Sequence, residues 1–117
     1  MTELPECYTG NDFYCDVALP RPGSLDLLYD GEAVIAFQHT KPYWEHHAVV
    51  VPKRHIASLL QLSGEPEPLV RELLQVIQLV AADFEQRFGD ARVLTNLGRY
   101  QDSKHLHVHI SAGAELG

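Results

Sequence analysis

Positive charge is scarce in this chain. Nine Lys and Arg stand against sixteen Asp and Glu, a formal net charge of −7. Binding to DNA or RNA polymers is driven mainly by phosphate neutralisation, so no nucleic acid polymer is expected as a partner. A small nucleotide needs only local donors and stays open. Cysteine is nearly absent: Cys7 and Cys15 are the only two. With nothing pointing to export, both are read as reduced thiols in a cytoplasmic protein. The first residues, Met1 to Glu6, lack the basic start and apolar run of a secretory signal. No apolar segment approaches the ~20 residues that a membrane span requires. Internal repeats and low-complexity tracts are missing too.

What remains is ordinary in bulk. The chain has 117 residues, 45% hydrophobic and 21% charged, enough for one domain whose core needs no disulfide or metal. Residues 1–12 read as an irregular segment and 13–117 as a single domain. Pro and Gly are concentrated up to about residue 24, with room for a helical turn around Asn11 to Val17. A short strand over Leu25–Tyr29 turns at Asp30-Gly31 into a returning strand, Ala33–Phe37. Ala48–Val51 reads as a buried strand stopped by Pro52, and Ile56–Leu60 as a turn or two of helix. Pro66 and Pro68 sit where a long helix opens. Leu69, Leu73, Val76, Ile77, Val80, Phe84 and Phe88 form its apolar stripe, and Gly89 is its stop. Arg92–Leu97 and His105–Ser111 are the last two strands. The expected class is α+β, a five-stranded antiparallel sheet with one long and one short helix. One helix covers only one sheet face, so the other meets a second subunit or carries the site.

The most specific stretch is His105-Leu106-His107-Val108-His109-Ile110. In a strand alternate side chains share a face, so three imidazoles line one side while Leu106, Val108 and Ile110 anchor the other. Imidazole changes charge near neutrality and suits proton transfer, nucleophilic attack or metal binding. His105 and His109 would lie ~13 Å apart at Cα in a straight strand, too far to share one ion with bonds of ~2.0 Å. Two of the three could still share an ion with His55 or Cys15. The alternative is attack on phosphorus by a central imidazole, with a neighbour two residues on holding a phosphoryl oxygen. His107, flanked on both sides, is the natural nucleophile. Tyr43 and Trp44 rim the pocket, touch a second subunit, or stand in solvent.

His105 to Ser111 resembles the His-φ-His-φ-His-φ-φ pattern of the histidine triad (HIT) family. The resemblance extends to Leu28-Tyr29-Asp30 with Ala36-Phe37, to His47 through Ile56, and to Asn96-Leu97-Gly98. It implies cleavage at the α-phosphate of a purine nucleotide, of a nucleoside phosphoramidate or a related anhydride, through a nucleotidyl-histidine on His107. It also implies that His109 donates to a phosphate oxygen, that His105 orients His107 through its main-chain carbonyl, and that His47 supports this network. The substrate-side candidates are Phe37, His39, Asn96, Gln101, Asp102 and Ser103. His39 stands where the family often has a ribose-gripping acid, and Asp102 replaces a family serine. A dinucleoside polyphosphate hydrolase, or a nucleotide-binding protein with little turnover, are the alternatives. The resemblance further implies a homodimer paired about the long helix and the adjacent strand. The chemistry requires no metal. Many bacterial members hold a structural zinc, which here would draw on Asp12, Cys15, His55 and His105; Asp12 stands in place of a cysteine, and the expectation is no zinc.

Overall fold

The structure, a computed structural model, describes residues 25–116. The expected irregular segment 1–12, the turn around Asn11 to Val17, and Asp12 and Cys15 lie outside the described residues. Five strands, β1 (Leu27–Asp30), β2 (Val34–Gln38), β3 (Trp44–Pro52), β4 (Arg92–Leu94) and β5 (Val108–Glu115), form one antiparallel sheet in the order β1-β2-β3-β5-β4. One long helix, α1 (Glu67–Phe88), follows β3, and the α+β architecture is the one expected.

The helix forms where its stripe requires. Leu69, Leu73, Val76, Val80 and Phe84 are its buried residues. They pack on the sheet face made by Val34, Ala36, Ala48, Val50, Val108, Ile110 and Ala112. Gly89 ends it in the left-handed region at φ 89° and donates its N–H to the Glu85 carbonyl at 2.9 Å, a conformation that costs a Cβ-bearing residue roughly 1 kcal/mol. Across the sheet, Ile35, Phe37, Val49 and Val51 make a second apolar cluster. The alternation in β5 therefore sorts Val108, Ile110 and Ala112 to the helix and His109 to the far side, where His47 of β3 joins it beside Val49 and Val51.

Several boundaries differ from those expected, beginning with β1 and β2, which run Leu27–Asp30 and Val34–Gln38 rather than Leu25–Tyr29 and Ala33–Phe37. The first short helical stretch is a 3-10 turn at Leu59–Gly64, later than Ile56–Leu60; the Ser58 hydroxyl, accepting the Leu60 N–H at 3.2 Å, sets its start. β3 begins at Trp44, because its early residues find partners at Ala112 and Glu115. β4 stops at Leu94 rather than Leu97, since the Thr95 hydroxyl donates to the His107 carbonyl at 2.8 Å. β5 starts at Val108 and runs on to Glu115, so Ala112 to Glu115 is strand and not tail. The triad only partly lies in regular strand, because the Leu106 N–H turns to the Ile56 carbonyl at 2.6 Å instead of joining the ladder.

Candidate active site

Four of the seven histidines gather on the face away from α1. β3 supplies His47 and β5 supplies His109; in the register Val49 faces His109 and His47 faces Ser111, so the two imidazoles are diagonal neighbours. His39 joins from just beyond β2, held by its N–H donating to the His47 carbonyl at 2.8 Å. Its ring stacks on His47, with centroids 4.3 Å apart. His107 meets His109 edge to face at 4.9 Å.

The hydrogen bonds set the tautomers in sequence. The Tyr43 N–H donates to His47 Nδ1 at 3.0 Å, so His47 carries its hydrogen on Nε2. That nitrogen lies 2.9 Å from His109 Nδ1, which must accept, so His109 carries its hydrogen on Nε2. His109 Nε2 is buried with no partner among the described residues, a donor aimed away from the network that holds its ring. His107 Nδ1 lies 2.8 Å from the His105 carbonyl. A carbonyl only accepts, so Nδ1 bears the hydrogen and Nε2 carries the lone pair. His39 Nδ1 accepts from the Lys41 N–H at 3.0 Å, so His39 too presents Nε2–H.

Burial keeps these rings neutral. It lowers His39 to about 3, with the His47, His109 and His107 charges adding to the effect and the Lys41 N–H opposing it. Burial lowers His47 to about 4, helped by the Arg92 guanidinium and then His107. Burial, then His107 and His47, lower His109 to about 4, against an upward pull from Asp102. His107 is lowered by burial first, while the His105 carbonyl and Asp102 pull it back up. A neutral imidazole with a defined lone pair is a nucleophile, and a neutral N–H donor beside it can hold an oxygen on which charge develops.

The remaining candidates have varied surroundings. His105 is fully buried and reaches the Pro52 carbonyl through Nε2 at 2.7 Å. Its own ring stays out of the cluster and contacts His55 at 5.3 Å instead; its link to His107 is its carbonyl. Phe37, 1% exposed, packs with Ile35, Val49 and Val51. Half-buried Asn96 follows Thr95 on the segment leaving β4. Gln101 and Ser103 are buried, and Gln101 Nε2 donates to the Ala57 carbonyl at 2.7 Å. Asp102, exposed between them, accepts from the Tyr43 hydroxyl at 2.7 Å.

Thr95 and Tyr43 complete the site. Thr95, which sequence reasoning missed, carries no signal beyond an ordinary β-branched residue. Tyr43, left open between three settings, lies with its ring 5.1 Å from His39 and from His47. Lys53 and Arg54 pair with Asp30 and Glu65 and belong to the surface.

Two metal arrangements can be weighed. His39, His47 and His109 have ring nitrogens within 4.8 Å of one another. An ion on His47 Nε2 would force the hydrogen onto Nδ1, against the Tyr43 N–H, so this trio does not fit a metal. His55 and His105 meet at 5.3 Å and supply two imidazoles among the described residues, short of the four ligands of a structural zinc site. His105 gives its Nε2–H to a carbonyl, which is how a metal-ligating imidazole is usually oriented.

A family profile described as scavenger mRNA decapping enzyme C-term binding matches residues 11–115. The bifunctional adenosine 5'-phosphosulfate phosphorylase/adenylylsulfatase of Arabidopsis thaliana is 36% identical over 105 residues, 85% of this chain and 68% of that protein. The adenosine 5'-monophosphoramidase of Xenopus tropicalis is 25% identical over 121 residues, 98% of this chain and 76% of that protein. A hypothetical histidine triad nucleotide-binding protein of Sulfolobus tokodaii strain7 has a crystal structure that superposes with a TM-score of 0.73 at 30% identity, covering 86% of this chain and 67% of that one. The fold and site define a histidine triad domain. The chain belongs to the histidine triad family.

Proposed function

We propose that this protein is a hydrolase or transferase that cleaves nucleoside phosphoramidates at the α-phosphate. The observation that carries the reading is the His107 Nδ1–H bond to the His105 carbonyl, beside a His109 Nε2–H with no partner among the described residues. The His107 Nε2 lone pair attacks phosphorus, the P–N bond breaks, and the departing nitrogen takes a proton from solvent water to leave as an amine. The positive charge gained by His107 is stabilised through Nδ1–H on the carbonyl, and His109 donates to a non-bridging oxygen. Water then attacks phosphorus and the bond to Nε2 breaks, releasing the nucleoside monophosphate. Two relatives whose names specify adenosine 5'-phosphoryl substrates support the purine nucleotide as substrate class. His39, a donor where the family often has an acid, takes one ribose oxygen rather than two hydroxyls.

Incubation with adenosine 5'-phosphoramidate tests this. Release of AMP by the wild type and a loss on the order of 10³-fold or more in His107→Ala are expected. Release that survives the substitution would remove His107 from the chemistry. No turnover of amide or dinucleoside polyphosphate, with nucleotide still bound, would leave the binding alternative. The steps as written use no metal, and the reading includes a zinc-free protein; stoichiometric zinc in the purified protein overturns that part.

The reading extends to a homodimer in the cytoplasm. β4 is an edge strand on which Val93 and Leu94 are 50% and 42% exposed, and exposed apolar edges invite pairing. Sedimentation analysis should give twice the chain mass, and Leu94→Lys should shift it to the monomer.

A further inference from the structure

Asp102 is an exposed carboxylate linked through Tyr43 to the imidazole cluster. Its neighbours Gln101 and Ser103 are buried, and Gln101 is tied to Ala57. Its own carboxylate is held by the Tyr43 hydroxyl at 2.7 Å, and the Tyr43 ring lies 5.1 Å from His47 and 6.3 Å from His109. Lys104, next but one along the chain, turns its ammonium to the Gly98 and Gln101 carbonyls instead. Among the described residues no Lys or Arg forms an ion pair with Asp102. Arg92 acts on the other flank, where it stacks on Trp44 and influences His47. The charge of Asp102 is felt at His107 and His109. The two charges thus act on different members of the cluster, Arg92 on His47 and Asp102 on His107 and His109.

A lone carboxylate beside a phosphate-binding nucleophile repels the substrate unless something positive stands between them. In-line displacement sends the leaving group away from the attacking nitrogen. His107 is 3% exposed and lies within reach of the Asp102 charge, so a leaving group that departs toward solvent passes through the field of Asp102. We propose that Asp102 selects the leaving group by charge: the preferred substrate is a phosphoramidate whose departing amine carries a second, cationic group, and anionic leaving groups such as phosphates, sulfate or carboxylate-bearing amines are disfavoured. This rests on the function proposed above and narrows its substrate class.

Three adenosine 5'-phosphoramidates of matched length provide the test, made from 1,3-diaminopropane, propylamine and β-alanine. At low salt the wild type should rank them cationic, neutral, anionic in kcat/KM, with about tenfold or more between the extremes and less at high salt. Asp102→Asn keeps an oxygen for the Tyr43 hydroxyl and removes only the charge. It should bring the extremes to within about twofold. A ranking unchanged in Asp102→Asn, or an anionic preference in the wild type, overturns the proposal. If none of the three is cleaved, the hydrolase reading falls by itself. Calorimetric binding of the same uncleaved compounds to both proteins then decides the charge preference, by the same order and the same collapse.

Discussion

At the scale of single residues, the site is a chain of tautomers. Tyr43 N–H, His47 and His109 each dictate where the next hydrogen sits, ending in a donor on His109 Nε2. His47→Ala breaks the chain and lets His109 place its hydrogen on either nitrogen. A fall in kcat of about 10- to 100-fold with a smaller change in KM is expected, as for other groups that orient a reacting residue. Long-range nitrogen–proton NMR of the imidazoles should show His109 leaving its single Nε2–H form. Thr95→Val removes the hydroxyl on the His107 carbonyl and should cost about 1 kcal/mol in urea unfolding. The nucleophile also has a pH signature. Burial lowers His107 below 6.5, so its unprotonated form persists into mild acid and the acid limb of kcat/KM should lie below pH 6.5. Losing the upward pull of Asp102 should move that limb lower still.

At the scale of elements, the helix obeyed its own sequence and the last strands did not. The stripe from Leu69 to Phe84, the early prolines and Gly89 are local signals, and α1 begins and ends by them. Gly89→Ala should destabilise by roughly 1 kcal/mol, from the left-handed backbone. Phe84→Ala should cost about 3–5 kcal/mol, from the cavity left by a ring 1% exposed; chemical denaturation of both variants checks the ratio. β4 and β5 depart from the lengths their sequences suggest because their ends depend on partners distant in sequence, Thr95 on His107 and Leu106 on Ile56. A β-propensity pattern shows that a strand exists, while its limits are set by what lies opposite.

For the whole molecule, burying neutral histidines makes stability depend on pH. His39, His47 and His109 fall to about 3, 4 and 4 when folded, against an ordinary value of 6.5. Between those values the unfolded chain binds protons that the folded one refuses, so stability is full above pH 6.5 and is lost as pH falls toward 4. Each group that takes its proton only on unfolding contributes a slope of up to about 1.4 kcal/mol per pH unit. Urea midpoints at pH 7.5, 6 and 5 should fall in that order, and less steeply in His39→Asn.

The sequence by itself determined the class of sheet and helix, the sorting of Leu106, Val108 and Ile110 to the core, and the presence of a histidine face. Those features follow from side-chain period and backbone propensity, which are local. Tertiary structure alone decided which imidazoles meet. His39 enters from just beyond β2 and His47 from β3, His105 turns aside to Pro52, and Tyr43 clasps Asp102 across 59 positions. Hydrogen-bond direction, burial and charge at the site arise between segments far apart in the chain, and only the packed sheet brings them within reach.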